Sequence, residues 1–438
     1  MKKLLFVCFA CLVFGLAGAI GAESANPAEI LRIQESCNVV SELKLIADGR
    51  ENVTASLQKA LDSGIRSLYF PAGRYLLDTV KLPTGTTLKF AVDAQICINP
   101  VGLTSIKNTV GESFTTLFVL DGDRITVEGL DADPILEQKN GKGQMICQRL
   151  FYGSGRSDLI FRQFRCRGEK QEPVQKSTQT WSVPGNKRMR YAFDLENCRN
   201  VEISGGEFRG IDLPINLLYC ENASIRSNRA MYCGCFLVIN YGSRNVRVYD
   251  NYGCKLRFLC QWRGGTPDPS RDKRVPLGSS KTVLHNLKFE DCQNLEKIRS
   301  ELSASGAGGV TITDGQQLQH LYGAYDIILY GNYAEYCRAL AWGNKTHDVA
   351  VIGNIARFMG DYAYGVEGCE NALFANNIAI NCRSYAIMSM YWGNRVMIVN
   401  NLCLIRNEPY DPELGDKPDQ SWYWGGLLRL HHGPVTPE

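Results

Sequence analysis

Short segments in which apolar and polar residues alternate recur along the second half of the chain, and each ends in an asparagine. Alternation over a few residues predicts a strand, because successive side chains of a strand point to opposite faces. The regular spacing predicts a solenoid with one coil per repeat, that is, an all-β, single-stranded parallel β-helix. The closing asparagines are Asn332, Asn354, Asn377 and Asn401, in steps of 22, 23 and 24 residues, and an earlier pair, Asn228 and Asn251, lies 23 apart.

A helical pattern precedes the first predicted strands. Residues from Asn52 to Leu61 have one apolar face, which predicts a short amphipathic helix. A helix here is well placed to cover the first coil, since an open solenoid end exposes apolar side chains and unpaired strand edges. We therefore expect a signal peptide at 1–22, an N-terminal cap region at 23–65, a β-helix domain at 66–407, and a C-terminal cap or flanking segment at 408–438.

The N-terminus has the pattern of an export signal. Two lysines precede an apolar run from Leu4 to Ile20, and small residues follow, which predicts cleavage after Ala19 or Ala22. The run is short for a membrane span and no second run follows, so we expect a secreted or periplasmic protein with no membrane segment after cleavage. A formal net charge of +3 gives no support for a nucleic-acid partner.

The 17 cysteines predict internal ladders of apolar side chains more than a disulfide network. Residues in register on successive coils stack about 4.8 Å apart, so a cysteine at one position of the repeat forms a file along the solenoid. One predicted file contains Cys233, Cys337 and Cys382, with Met359 in the same position of one coil, and a second contains Cys198, Cys220 and Cys369.

The N-terminal motifs carry a resemblance to a known family. The order Asp48-Gly49, then Thr54-Ala-x-x-Gln-x-Ala-Leu61, then Tyr69-Phe-Pro-Ala-Gly-x-Tyr75 resembles the capping region of the pectate lyase superfamily. The resemblance covers 40–133 by motif and 196–405 by repeat pattern, and it implies a right-handed parallel β-helix. Because this superfamily includes polysaccharide lyases, glycoside hydrolases, esterases, epimerases and phage tail proteins, it implies no single reaction.

Three interruptions of the repeat predict long loops, at 165–192, 263–276 and 300–322. Loops that leave a solenoid between coils tend to form its binding face. The first loop has an excess of lysine and arginine, which suits an anionic polymer.

One coil carries two carboxylates, Asp361 and Glu367, that we predict to be catalytic. Glycoside hydrolysis needs one protonated and one ionised carboxyl group on either side of the scissile bond. The alternative for Asp361 is an ion pair with arginines on adjacent coils, and the alternative for Glu367 is a solvated turn residue.

Four further residues are predicted to bind substrate. Arg338 and Arg383 each follow a cysteine of the first file, so they should lie on coils on either side of Asp361. Lys345 is a candidate base for a lyase. Trp392 belongs to an aromatic cluster that either stacks on sugar rings or closes the core.

Aligning the coils on the first cysteine file predicts which side chains point outward. Ala341, Ala363 and Ala386 share a row that should face solvent and form a shallow groove, while Trp342 and Tyr364 should lie inside. No cofactor and no metal are predicted. Calcium is the alternative, because carboxylates alternate in Asp121-Gly-Asp123 and Asp131-Ala-Asp133, although aspartate is also common in turns.

The leading hypothesis is a glycoside hydrolase acting on a polysaccharide through a carboxylate pair. The alternatives are a lyase that cleaves a uronate polymer by β-elimination and a non-catalytic glycan-binding or structural β-helix. The chain lacks the Asn-Thr-Asp, Asp-Asp, Gly-His-Gly and Arg-Ile-Lys motifs of polygalacturonases, which weighs against that activity, and it has no clear arginine motif of calcium-dependent pectate lyases. The sequence indicates no oligomeric state.

Overall fold

The computed structural model describes residues 36–99, 101–108, 111–133, 135–136, 144–145, 147–168, 172–175, 180–182, 189–264, 324–344, 346–367, 369–390, 395–406 and 426–431. The chain divides into two units, Met1–Ser36 and Cys37–Glu438. Only Ser36 is described in the first unit, so the predicted signal peptide lies outside the described residues and stays a prediction. The fold below is that of the second unit.

Successive coils of the described chain add strands in turn to three sheets, named A, B and C. Sheets A and B each have twelve parallel strands, and sheet C has eleven parallel strands and one antiparallel strand. Sheet A contains Cys37–Asn38, Ser67–Phe70, Thr87–Phe90, Ile125–Glu128, Ser157–Arg162, Arg199–Ser204, Glu221–Arg226, Arg244–Tyr249, Tyr325–Tyr330, His347–Ile352, Glu370–Ala375 and Met397–Val399. Sheet B contains Asp48–Asn52, Gly73–Leu77, Ala94–Ile98, Asp131–Asp133, Arg165–Arg167, Glu207–Arg209, Arg229–Met231, Tyr252–Cys254, Tyr333–Glu335, Ile355–Arg357, Ile378–Ile380 and Leu402–Leu404.

Sheet C holds the strands that matter for the site. Its parallel strands are Val80–Leu82, Ser113–Leu120, Arg149–Ser154, Tyr191–Glu196, Ile215–Leu218, Cys235–Asn240, Phe258–Arg263, Ala339–Asn344, Tyr364–Glu367, Ile387–Met390 and Leu428–His431, and Thr104–Lys107 pairs antiparallel with the second of them. Two hairpins stand apart, Ile135–Leu136 with Gln144–Met145, and Glu172–Gln175 with Thr180–Ser182. The strands confirm the predicted right-handed parallel β-helix.

Two of the three predicted loops fall largely or wholly outside the described residues. The interruption at 165–192 contains the hairpin of Glu172–Gln175 and Thr180–Ser182. Residues 265–276 and 300–322 are not described. The chain nevertheless returns to register after them, because Tyr325–Tyr330 pairs directly with Arg244–Tyr249 in sheet A.

The predicted amphipathic helix is present as Thr54–Asp62 and covers the first strand of sheet C. It buries Leu57, Ala60 and Leu61. The side chain of Gln58 acts as a substitute strand partner: its Nε2 donates to the Lys81 carbonyl at 3.2 Å and its Oε1 accepts from the Lys81 amide at 2.9 Å. The open edge of the sheet is therefore satisfied at this point by a side chain. No helix in the described residues is long and apolar enough to cross a membrane.

The repeated asparagines form one buried ladder at the corner between sheets A and B. The Oδ1 of Asn354 accepts hydrogen bonds from the backbone amide and the Nδ2 of Asn332, at 3.0 and 2.9 Å. In the same way, Oδ1 of Asn377 accepts from both groups of Asn354 at 3.0 Å. Each Nδ2 also donates to a backbone carbonyl; that of Asn354 donates to the Leu329 carbonyl at 3.1 Å. The ladder thus satisfies buried backbone groups at a turn that has no strand pairing.

A second polar ladder explains the asparagines and aspartates near the start of the sheet A strands. Asp158, Asn200, Asn222 and Asn245 have φ values of 59°, 54°, 58° and 52°. Among residues with a Cβ, asparagine and aspartate tolerate this left-handed conformation best. Their side chains are hydrogen-bonded from coil to coil at 2.8, 3.1 and 2.6 Å and are exposed.

The interior consists of stacked apolar files. Phe151 and Phe193, on adjacent strands of sheet C, stack with ring centroids 5.1 Å apart. The six cysteines of the two predicted files are buried thiols, which confirms that prediction. Backbone bonds from Gly360 to Cys337 and from Arg383 to Met359 show that the first file is in register.

We expect Asn354→Ala to lower the free energy of unfolding by roughly 2–4 kcal/mol, because it leaves the buried donors of Asn332 without an acceptor. Urea denaturation measures the change. The control is Asn222→Gly, which removes exposed amide contacts and keeps the left-handed conformation; its effect should stay below about 1 kcal/mol. Equal losses in the two variants would contradict a special role for the buried ladder.

We also expect the thiols of Cys337 and Cys382 to resist iodoacetamide in the folded protein. Once the protein is unfolded, both thiols should react fully even when no reductant is added. Burial raises the pKa of both thiols and excludes the reagent. Peptide mapping by mass spectrometry identifies the modified positions. A peptide that becomes reactive only after reduction would show a disulfide and contradict the prediction.

Candidate active site

A cleft of about 650 Å³ opens on the outer face of sheet C. It crosses the strands Phe258–Arg263, Ala339–Asn344, Tyr364–Glu367, Ile387–Met390 and Leu428–His431. The charged side chains of its described lining are four arginines and two carboxylates: Arg257, Arg263, Arg338, Arg429, Asp361 and Glu367.

Strand register places these side chains on one face. Gln261, Trp342, Gly365, Met388 and Arg429 occupy one row across five strands. Two residues further along, and therefore on the same face, Arg263, Asn344 and Glu367 occupy the next row.

A glycine is required at position 365 of the first row. A Cβ there would lie 2.5 Å from the ring of Tyr362, which packs over this point of the sheet. Any larger residue would displace Tyr362 from the apolar cluster in which it packs beside the cleft.

Asp361 is fixed at the turn before the strand Tyr364–Glu367. Its amide donates to the Arg338 carbonyl, and its carbonyl accepts from the Ser384 amide, both at 3.0 Å. Its Oδ2 accepts from Nη2 and Nε of Arg338 at 3.3 and 3.4 Å. Burial raises the pKa of Asp361, and the positive charges of Arg338, Arg383 and Arg429 oppose that rise.

Glu367 is partly buried at the end of its strand. Its Oε1 accepts a hydrogen bond from Nε1 of Trp342 at 3.2 Å. Burial raises the pKa of Glu367, and the negative charge of Asp361 raises it further, while the Trp342 hydrogen bond and the charge of Arg338 act in the opposite direction. The cleft therefore holds two carboxyl groups that interact electrostatically and differ in their partners.

The structure brings together three of the predicted site residues. Asp361, Glu367 and Arg338 all line the cleft. Arg383 does not belong to the described lining, although its charge acts on Asp361. Lys345 and Trp392 lie outside the described residues, so their predicted roles stay predictions.

The prediction of the inward and outward rows was wrong. Ala341, Ala363 and Ala386 are buried, and Trp342 lines the cleft. Ala341 is opposite Tyr364, not Ala363, because the turn that follows Met359 is one residue longer than the turn that follows Cys337. A shift of one residue exchanges the two faces of a strand, which accounts for Ala341 and Trp342. Ala363 and Ala386 lie just before the strands Tyr364–Glu367 and Ile387–Met390, where the alternation of a strand does not yet apply. Tyr364, as predicted, is buried.

Sequence reasoning missed three arginines of the cleft. Arg257 had a signal in the sequence, since Leu256 lies five residues after Asn251, as Cys337 lies five residues after Asn332. Arg257 therefore takes the same position of its coil as Arg338, and the Leu256 carbonyl accepts from the Arg338 amide at 3.1 Å. Arg263 lies at the end of a strand and before a long interruption of the repeat. Arg429 follows residues 407–425, beyond the last closing asparagine, so the period gives it no register.

The described residues contain no group of three or more histidine, cysteine, aspartate or glutamate side chains suited to a metal ion. Three of the four carboxylates considered for calcium, Asp121, Asp123 and Asp131, have other partners, and the side chain of Asp133 lies outside the description. Asp121 contacts Arg156 at 3.4 Å, Oδ1 of Asp123 accepts from the Ser157 amide at 2.8 Å, and Asp131 lies 3.7 Å from Arg167. Calcium at these positions stays an untested alternative to the prediction of no metal.

Comparison with known proteins places the fold but not the activity. No protein-family model matches the chain, and no curated protein matches it.

Similar solved structures include the A-module of mannuronan C-5 epimerase AlgE6 from Azotobacter vinelandii, with 11% identity, a TM-score of 0.50, and coverage of 85% of this chain and 100% of that one. The surface protein and adhesin PfbA of Streptococcus pneumoniae has 12% identity, a TM-score of 0.51, and coverage of 85% and 100%. A hyperthermoactive exopolygalacturonase from Thermotoga maritima has 11% identity, a TM-score of 0.50, and coverage of 84% and 91%. At this identity the likeness concerns the fold, and the chain has the right-handed parallel β-helix fold of pectate lyase-like proteins.

Proposed function

We propose that the protein is a glycoside hydrolase that cuts an acidic polysaccharide in the cleft on sheet C. The observation that carries the proposal is the pair Asp361 and Glu367, two carboxyl groups in one cleft whose pKa values are both raised by burial. Perturbed carboxyl groups that converge in a cleft are typical of acid–base catalysis.

The partners of the two groups indicate their roles. Asp361 contacts Arg338, and the positive charges of Arg383 and Arg429 also act on it. All three charges favour its ionised form. Burial raises the pKa of Glu367 and the charge of Asp361 adds to that rise, while only the Trp342 hydrogen bond and the charge of Arg338 oppose it, which favours the protonated form of Glu367. Glu367 is therefore the general acid, and Asp361 is the ionised partner.

In the reaction, the Glu367 carboxyl donates its proton to the glycosidic oxygen as the bond from that oxygen to the anomeric carbon breaks. Asp361 either attacks the anomeric carbon itself or takes a proton from the water that attacks it. In the first case water then hydrolyses the glycosyl ester, and in both cases one water molecule is consumed.

The balance of charge in the cleft favours a negatively charged sugar chain. Four guanidinium groups face two carboxylates in the described lining. Guanidinium groups bind carboxylates through paired N–H donors, so uronic acid units match this surface. Two of the similar structures are named for enzymes of polysaccharides, a mannuronan epimerase and an exopolygalacturonase, and a third is named as an adhesin.

A polysaccharide lyase is the second candidate, because the same arginines would neutralise the uronate carboxylate during β-elimination. The described lining of the cleft contains no lysine or histidine that would serve as the base. Lys345, which is not described, or an arginine such as Arg338, which lines the cleft, would then be the base. The hydrolase is favoured because the two carboxyl groups that it needs both lie in the described cleft and both have raised pKa values.

We expect Asp361→Asn and Glu367→Gln each to lower kcat by roughly 10²–10⁴-fold, because each removes one half of the acid–base pair. The measurement follows reducing ends released from a panel of uronate-containing and neutral polysaccharides, with ultraviolet absorbance of unsaturated uronates in parallel. The control Asp326→Asn changes an exposed aspartate of sheet A at φ 50°, where asparagine fits, and should leave kcat within about twofold.

The two signals separate the candidate functions. Reducing ends without absorbance, lost in both variants, support the hydrolase. Absorbance at each new reducing end means a lyase and rejects the carboxylate mechanism. Binding to a polysaccharide without either signal means a glycan-binding module.

We expect Arg338→Gln to move the pH profile of kcat/KM to higher pH. The positive charge of Arg338 lowers the pKa of Asp361 and of Glu367, so its removal raises both values. Asp361 then ionises, and Glu367 loses its proton, only at higher pH. The control Arg357→Gln removes an arginine that pairs with Glu335 on sheet B and should leave the profile in place. If the pH profile of Arg338→Gln stays in place or moves to lower pH, this assignment of charges is refuted.

A further inference from the structure

The indole of Trp342 is the described side chain that holds the Glu367 carboxyl group. Trp342 lies on the strand Ala339–Asn344 and Glu367 lies at the end of the adjacent strand. The indole Nε1 donates to Oε1 of Glu367 at 3.2 Å. Among the described residues, Oε2 of Glu367 makes no hydrogen bond, so this contact leaves one oxygen free to face a ligand in the cleft.

A stack of aromatic and cationic groups fixes the indole. The Trp342 ring stacks on Phe258 with centroids 5.6 Å apart and planes 18° from parallel. Phe258 is itself buried, and the guanidinium groups of Arg257 and Arg338 lie 5.4 and 5.7 Å from its ring centroid. Stacked rings and cation–π contacts of this kind restrict side-chain rotation. The N–H donor is therefore held in place before any ligand arrives.

We propose that Trp342 is a positioning residue that orients the Glu367 carboxyl group for proton transfer, by binding Oε1 through its N–H and leaving Oε2 toward the scissile bond. This inference rests on the proposed hydrolase function. It differs from a packing role, because the indole N–H and not only the ring is needed. It also gives Trp342 a role through Glu367 and not through direct contact with the reacting atoms.

The charged groups around Glu367 set the direction of the effect. Asp361, on the turn before its own strand, raises the pKa of Glu367, and Arg338, before the neighbouring strand, lowers it. Arg263 and Arg429 line the same cleft on the strands Phe258–Arg263 and Leu428–His431. The Trp342 N–H stabilises the ionised carboxylate, so its loss raises the pKa of Glu367.

Two variants separate the N–H from the ring. Trp342→Phe keeps an aromatic ring beside Phe258 and removes the donor. Replacement of Trp342 by 3-benzothienylalanine keeps the shape of the indole and removes only the N–H, so it serves where the phenylalanine variant is poorly folded. Circular dichroism checks the fold of both.

The first readout is the ionisation of Glu367 itself, by NMR titration of protein labelled with ¹³C at the glutamate carboxyl carbon. The Glu367→Gln variant assigns the resonance. We expect both Trp342 variants to raise the pKa of Glu367. The control Tyr241→Phe, which removes a hydroxyl from the cleft lining without touching Glu367, should leave that pKa unchanged.

The second readout is kinetic, on the acidic polysaccharide that the unaltered protein cuts. We expect the alkaline limb of the kcat profile to move to higher pH, and kcat at the optimum to fall about tenfold with KM within about twofold, since orientation and not binding is lost. Folded variants with an unchanged Glu367 pKa and an unchanged alkaline limb would overturn the inference.

The two proposals fail in different ways. If the unaltered protein cuts no polysaccharide, the hydrolase proposal fails, and with it the role in proton transfer, even where the NMR titration shows that Trp342 controls the ionisation of Glu367. If the protein cuts polysaccharide and the Trp342 variants behave as the unaltered protein does, the hydrolase proposal stands and the positioning role is refuted.

Discussion

The fold and the cleft both depend on the register between successive coils. A parallel strand can satisfy its backbone only through the strands of the neighbouring coils, so every coil must repeat the position of the previous one. At the corner between sheets A and B there is no strand to enforce this, and the buried asparagine ladder supplies the missing hydrogen bonds. An asparagine side chain that accepts two hydrogen bonds from one coil and donates to a carbonyl of another holds the turn in register.

Register is also what assembles the cleft. Residues of the site are far apart in the sequence, yet Arg338 and Asp361 meet because they occupy neighbouring coils. The same stacking aligns Trp342 with Gly365 and Asn344 with Glu367. Because each coil contributes only a few outward side chains, the two carboxylates of one coil gain their charged neighbours from the coils on either side.

The sequence predicted the architecture well and the site only in part, for a physical reason. Buried repeat positions admit few residue types: asparagine at the position of Asn354, because of its hydrogen bonds, and a soft apolar side chain at the position of Cys337. These positions reveal the period and identify the coils that carry Asp361 and Arg338. The outward face depends in addition on the length of each turn, and the turn after Met359 has one residue more than the turn after Cys337. Because of that difference, the alignment of the coils predicted Trp342 in the core, whereas the structure places it in the cleft. Arg429 follows a break in the period, so no register connects it to the site before the strands are seen to pair.

The sequence left two alternatives for Asp361, an ion pair between coils or a catalytic carboxylate, and the structure shows that they are compatible. The ion pair with Arg338 exists, and it lies in the wall of a cleft next to a second carboxyl group. Both carboxyl groups lose solvent, which favours protonation of each, but only Asp361 gains a direct arginine contact. In the proposed mechanism, this ion pair makes Asp361 the ionised partner and Glu367 the protonated one. That division is the property that acid–base catalysis requires.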